Sequence, residues 1–151
     1  MGCAPRGSPF RFGTLDIARD WAFVSEVVPC HLVEDTTGII ALDQANKYVA
    51  AIVIDSWTNT SVQVHSYIGN PYVLRHGYAE AVFSAIFVHA GKRVAFGTVP
   101  ANNAKALKFN AHVGFTEVCR LKDGFDFGVD YVLMEMRREN CRWIDRRYRD
   151  G

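Results

Sequence analysis

Two stretches of this sequence place residues at spacings that could do chemistry. The first reads SYIGNPYVLRHGYAEAVF, from Ser66 to Phe83. A β-branched run passes into a turn holding Gly69, Asn70 and Pro71, then into a predicted helix opening at Arg75-His76-Gly77. A helix start leaves backbone N–H groups unpaired and pointing outward, a ready site for phosphate. Gly77 and Ala79 would let a pyrophosphate approach the backbone, and Arg75 would neutralise it. Glycines at such a joint also serve as plain turn residues, so this pattern alone does not choose between the two. The second stretch is AFGTVPANNAKALKFNAHVGF, from Ala95 to Phe115. Here a strand ends at Pro100, Asn102 or Asn103 caps a helix, and Gly114 stops it. On these residues alone the asparagine is a cap, with Ala106, Phe109 and Val113 in the core. The thiols offer no third site. Cys3, Cys30, Cys119 and Cys141 form no CxxC and no short Cys/His spacing, so no zinc site is expected and the cysteines read as reduced.

The elements that must position these residues follow from periodicity. A first strand is predicted near Phe10 to Phe12, then a helix over Leu15 to Val28 with Leu15, Ala18, Ala22 and Val24 or Ser25 near one face. Three β-branched runs, Gly38 to Leu42, Tyr48 to Asp55 and Val62 to Ile68, read as an antiparallel meander. The middle run is apolar on both faces and should be covered on both sides. Apolar residues Ala79, Val82, Phe83, Ile86 and Phe87 recur at helical spacing within Arg75 to Ala90, ending at Gly91. A strand over Arg93 to Val99 and a helix over Asn102 to Val113 follow. Two last strands, Phe115 to Leu121 and Tyr131 to Met136, are joined by an acidic, glycine-containing loop from Asp123 to Asp130. This order predicts an α/β domain with a mixed sheet.

Composition bounds the function. The 151 residues are 49% hydrophobic and carry 17 basic against 16 acidic side chains. A chain of this size should bury roughly 70% of its unfolded surface. The net charge of +1 argues against disorder and against broad capture of nucleic acid. The exception is the end of the chain, where six arginines from Arg137 to Arg149 meet only Glu139, Asp145 and Asp150. Such a tail reads first as a solvated helix or an end docking on an acidic neighbour, and second as a phosphate binder. The N-terminus has no apolar segment of the secretory kind, and no run reaches eighteen apolar residues. The opening Met-Gly-Cys lacks the Ser or Thr that myristoylation wants at position six, where Arg6 stands. A soluble, cytoplasmic chain is expected.

Taken together, the motifs resemble the GNAT superfamily of acyl-CoA-dependent N-acetyltransferases. The likeness spans nearly the whole chain: the meander, RHGYA at a helix start, a strand ending in VPANN, Asn103 and Ala106, then Gly114-Phe115 and two closing strands. The ending MRRENCRWI, from Met136 to Ile144, looks like that of a bacteriophage and prophage subgroup with a similar Cys-Arg-Trp. The resemblance implies a mixed, mostly antiparallel twisted sheet flanked by helices, with splayed central strands. It implies one acyl-CoA-binding domain over residues 1–137, with the basic tail 138–151 belonging to it. Acetyl-CoA would lie in the cleft as acyl donor, with no metal. Its pyrophosphate would rest on Arg75, His76, Gly77, Tyr78 and Ala79. The thioester arm would pair with the backbone at Tyr67 and Ile68, and Asn103 would contact the pantetheine arm or hold the following loop. Leu74 stands where the family usually has Gln or Arg, and Asn110 where many members have a Tyr that protonates the leaving thiolate.

The implied reaction is direct attack of an amine on the thioester in a ternary complex. Positioning both reactants contributes several kcal/mol, and backbone N–H groups can polarise the carbonyl. A lysine amine is neutral in roughly one molecule per 2,500 at pH 7, an α-amine in roughly one in ten. A protein α-amine or small-molecule amine is therefore favoured over lysine. His65, on the presumed cleft strand, is the candidate general base. Asp55, Glu117, His112 and Tyr67 are weaker candidates, and Glu34 and Asp35 would lie toward the acceptor. The alternative is a catalytically degenerate structural or binding protein of a bacteriophage particle, meeting a virion or host partner through the tail. A nucleic-acid-binding tail ranks last, and no membrane partner is expected.

Overall fold

The period-two runs become strands where the spacing predicts them. The computed structural model describes residues 7–150; the Met-Gly-Cys start, with Cys3 and Arg6, lies outside the described residues. Strand β1 (Phe10–Thr14) is followed by helix α1 (Ile17–Val27) and strands β2 (Thr37–Asp43), β3 (Tyr48–Asp55) and β4 (Ser61–Ile68). After helix α2 (Tyr78–Phe83) come β5 (Val94–Pro100), helix α3 (Ala104–Val113), β6 (Thr116–Asp126) and β7 (Val129–Arg137). All seven strands join one sheet in the order β1-β2-β3-β4-β5-β7-β6. Every pair is antiparallel except β4–β5, which is parallel. The fold class is thus the expected mixed, mostly antiparallel sheet flanked by helices.

Two apolar layers cover the sheet. On one face Val62, Val64 and Ile68 pack with Tyr78, Val82 and Phe83 of α2 and Val113 of α3. On the other, Ala51, Val53 and Tyr67 pack with Phe23 and Val24 of α1. Alternation along each strand divides the layers, as a pleat requires. The middle strand β3 is covered on both sides, as its continuous apolar run predicts.

Four expectations are corrected. Of the face predicted for α1, Leu15 and Val24 are buried but Ala18 and Ala22 are exposed, and Asp20 points inward in their place. Asp20 earns that place because its carboxylate accepts from the Tyr48 hydroxyl at 2.6 Å, Arg19 Nε at 2.8 Å and the Asp16 N–H at 2.8 Å. A buried charge satisfied in this way can occupy a position that hydrophobic periodicity assigns to alanine. Secondly, no helix opens at Arg75. Pro71–His76 forms a 3₁₀ turn capped by Asn70, Gly77 sits at φ +96°, and α2 starts only at Tyr78 before widening into a π-helical turn over Ser84–His89. A left-handed residue breaks one helix and admits the next, and glycine takes that conformation at least cost.

Thirdly, Asp123 to Asp130 is not an open loop. Strands β6 and β7 run into it and turn over Phe127 and Gly128. Its acidic side chains are turned on the hairpin's own backbone: Asp130 accepts from the Asp123 N–H at 3.0 Å, and Asp123 from Gly128 at 2.9 Å. Finally, the arginine-rich end is docked on the domain rather than free, although Arg142, Arg146 and Arg147 stay exposed. Cys141 and Ile144 are buried, Trp143 Nε1 donates to the Val113 carbonyl at 2.8 Å, and Arg142 donates to the His112 carbonyl at 2.6 Å. The last turn of a helix leaves carbonyls without partners. Here a cation and an indole from the chain's end supply them for α3. Among the described residues no helix is long and apolar enough to cross a membrane.

Candidate active site

The break in the sheet makes the site. Strands β4 and β5 pair at only three positions, Ser61–Val94, Val62–Ala95 and Gln63–Phe96, and then part. A β carbon at Gly97 would lie 3.0 Å from the Val64 carbonyl oxygen, so the absence of a side chain lets the strands stay close where they diverge. Between them opens a cleft of about 880 Å³. Val64 and Ser66 reach it from β4, Ala106 and Asn110 from α3, and Asn103 from the cap of α3. A smaller cavity of about 40 Å³ adjoins it, sharing Val64, Ser66, Asn110 and Phe115 and reaching Ile68, Tyr78 and Ala79.

His65 lines the cleft on the α1 side of the sheet, with Gln63, and its Nε2 lies 3.0 Å from Asp55 Oδ2. Both side chains are largely buried, at 16% and 8% exposure. The meander sets this pair: Val53 faces His65 and Asp55 faces Gln63, which leaves Asp55 and His65 diagonal on one face. The next residue, Ser56, is held at φ +51°, and its hydroxyl donates to Asp55 Oδ1 at 3.2 Å. Asp35 fixes this bend, accepting from the Ser56 and Trp57 N–H groups at 3.3 and 2.8 Å. Asp35 therefore does not line the cleft, and neither does Glu34.

Cys30 also lines the cleft, and burial together with the Asp55 charge pushes its thiol pKa up to about 11. It stays protonated at neutral pH. Glu26 and Asp55 are the carboxylates of the lining, and no Lys or Arg joins them among the described residues. Nor do three His, Cys, Asp or Glu side chains converge there or elsewhere among those residues to hold a metal ion.

The other predicted positions divide. Asn103 lines the cleft while its Oδ1 accepts from the Ala106 N–H at 3.1 Å, so cap and cleft residue are one. Ile68, Tyr78 and Ala79 meet at the smaller cavity. The Tyr78 side chain is 1% exposed and its hydroxyl donates to the Ile39 carbonyl, so burial holds the phenol well above its usual pKa. Tyr67 points to the opposite face and packs edge-on against Phe23. Arg75, His76 and Gly77 line neither cavity: Arg75 is exposed over the Tyr72 ring at 5.8 Å, and His76 meets Phe10 edge-on. Sequence reasoning missed the partnership of Asp55 with His65 and the cleft positions of Cys30 and Tyr131. The first was within reach, since a meander with a short β3–β4 turn fixes which residues share a face.

No protein-family model and no curated protein sequence matches the chain. Solved structures do. A variant of the spermidine N-acetyltransferase SpeG from Vibrio cholerae superposes with a TM-score of 0.73 at 12% identity, covering 92% of this chain and 98% of that one. Nourseothricin acetyltransferase gives 0.62 at 15% identity, over 86% and 99% of the two chains. YncA from Salmonella typhimurium, a putative acetyltransferase solved with its cofactor acetyl-CoA, gives 0.60 at 13%, over 86% and 94%. At such identities the likeness establishes a shared fold.

Proposed function

We propose that this chain is an acyl-CoA-dependent N-acetyltransferase that moves an acetyl group from acetyl-CoA to an amine by direct attack in a ternary complex. The observation that carries this reading is the parting of β4 and β5 after three residue pairs, which leaves an open cleft between the two faces of the sheet. Toward α2 and α3 its walls are mainly apolar and suit the donor. On the α1 side stand His65 and Asp55. The fold shared with the acetyltransferases above supports the same reading.

In this proposal the pyrophosphate is received at Arg75, His76, Gly77, Tyr78 and Ala79. Arg75 contributes charge and Tyr78 its backbone, since its hydroxyl is committed to Ile39. The backbone at Tyr67 and Ile68 orients the thioester arm, and Asn103 holds the far wall. His65 takes the proton from the acceptor amine. Glu26 and Asp55, unopposed by lining Lys or Arg among the described residues, favour a cationic acceptor. An α-amine, or a small-molecule amine of similarly low pKa, suits a histidine base better than lysine does, because far less work is needed to deprotonate it. Asn110 lines the cleft but donates no acidic proton, so the thiolate departs as an anion, tolerable for a thiol of pKa about 8.5. The protonated Cys30 thiol does not compete with the amine for the acyl group. The reaction is proposed to run in the cytoplasm, the host's if the chain is phage-encoded.

Calorimetry with acetyl-CoA tests donor binding, and mass spectrometry of an amine panel tests transfer. Saturable binding and acetylated product are expected; no heat and no thermal protection at high micromolar donor would refute the reading. The alternative, a degenerate component of a phage particle, rests on Leu74, Asn110 and the basic tail. It calls for a filled cleft and a tail turned toward a partner. An open cleft, and Arg142 and Trp143 engaged on α3, favour the enzyme.

A further inference from the structure

We propose that Asp55 is a positioning residue that fixes the tautomer of His65 and makes Nδ1 the atom that accepts the acceptor's proton. This rests on the transferase reading for its chemistry, but the tautomer itself does not. A carboxylate only accepts hydrogen bonds, so Nε2, 3.0 Å from Asp55 Oδ2, must carry the imidazole proton. The lone pair then sits on Nδ1, which has no hydrogen-bond partner among the described residues and is not among the sealed, unsatisfied polar atoms. Asp55 cannot swing away to release Nε2. It is 8% exposed, its second oxygen accepts from Ser56, and Asp35 clamps the bend that follows.

The geometry resembles the orienting carboxylate of hydrolase triads in logic, with the two ring nitrogens in exchanged roles. In the step, an ammonium N–H bond of the acceptor breaks and an Nδ1–H bond forms. The electron pair left on nitrogen forms the C–N bond as the thioester C–S bond breaks, and the sulfur leaves with the C–S bonding pair as thiolate. The second amine proton passes to solvent once the thiolate has left, and the imidazolium returns its own proton to solvent. Asp55 holds the ring through its Nε2 proton and keeps Nδ1 free for the acceptor, without taking the transferred proton itself. The other titratable groups of the lining are Glu26, Cys30 and His31 at the end of α1 and the segment after it, Ser66-flanked Tyr67 being turned to Phe23, and Tyr131 of β7. Of these only Glu26 is a carboxylate, so it is the one group of the same chemistry as Asp55.

The test begins on the free wild-type protein, where ¹⁵N spectra of the His65 ring report the neutral tautomer with no substrate present. Protonated Nε2 and unprotonated Nδ1 are expected; the reverse, or an even mixture, would overturn the proposal. In Asp55→Asn the amide still accepts from Nε2 but lacks the charge. The amide can also turn its NH2 to Nε2, so the ¹⁵N spectrum of the variant should show both ring tautomers. The variant's kcat should fall about 10- to 100-fold while KM changes less than about 3-fold. An unchanged tautomer in Asp55→Asn would overturn the positioning role, whatever the loss of rate. Glu26→Gln should leave the tautomer unchanged, and a tautomer change there would also overturn it. Should Asp55→Asn fail to fold, His65→Gln with rescue by added imidazole gives the kinetic arm. A correct tautomer in a wild-type protein that acetylates no amine would overturn the transferase reading, and with it the catalytic use of Nδ1, while the assignment of the ring proton would stand.

Discussion

Replacing Trp143 should expose how much of the domain is held by the end of its chain. The indole is half-buried, packs against the main core, donates to the Val113 carbonyl at 2.8 Å and carries Arg142 over its ring at 4.5 Å. Truncating a fully buried Trp to Ala costs about 3–5 kcal/mol, and partial burial reduces that to about 2–3. The lost bond to a carbonyl at the end of α3 adds about 1 kcal/mol. The loss of the stacked cation adds about 0.5–1 at an exposed site. Trp143→Ala should therefore cost about 3–5 kcal/mol, or roughly 6–20 °C in Tm for a chain of this size. Trp143→Phe keeps most of the ring and should lose only about 1–2 kcal/mol. Urea unfolding followed by circular dichroism measures both. A loss under about 1 kcal/mol for the alanine variant would refute the clasp and return the tail to the role of a free arm.

Other outcomes follow from the same reasoning. Cys30, with its thiol near 11, should alkylate about 100-fold more slowly at pH 7.5 than an ordinary thiol, while exposed Cys119 reacts readily; peptide mass spectrometry over time reads both. Burial pushes the Asp20 carboxyl up, but bonds from Arg19, Tyr48 and the Asp16 N–H overcome this and hold it below its usual value. Its contribution is complete above the unfolded carboxyl pKa and is lost as pH falls through the lower folded value, so Asp20→Asn should flatten the acid limb of a stability–pH profile. Gly77→Ala places a β carbon on a residue at φ +96°, which should cost about 1–2 kcal/mol and weaken acetyl-CoA binding in calorimetry. Asn103→Ala removes the cap bonded to Ala106 and should cost about 1 kcal/mol in thermal unfolding.

Much of the fold is legible because its signals are local. The β-branched runs of β2, β3 and β4 and the asparagine and glycine bounding α3 declare themselves within a few residues. Legibility fails where a distant partner pays a local cost. Asp20 faces inward because Tyr48 of β3 reaches it, and nothing in the α1 sequence announces that bond. The hairpin acids of β6 and β7 mimic a loop by composition while bonding to backbone across the turn. The arginine-rich end keeps most of its cations in water, yet Arg142 and Trp143 dock on α3 carbonyls that no local signal announces.

The residues with which the sequence reading began fared in the same way. The sequence by itself determined that a strand bearing His65 precedes a glycine-broken turn, and that Asn103 caps the helix lining the far wall, because turns, caps and alternation act over a few residues. Only the tertiary structure decided that Arg75 and Gly77 stand outside the cavities while Asp55 stands against His65. It also decided that the cleft is open, because strand pairing is a contest between distant segments. Where β4 and β5 cease to pair, the backbone that a longer ladder would have consumed is left free to line a site.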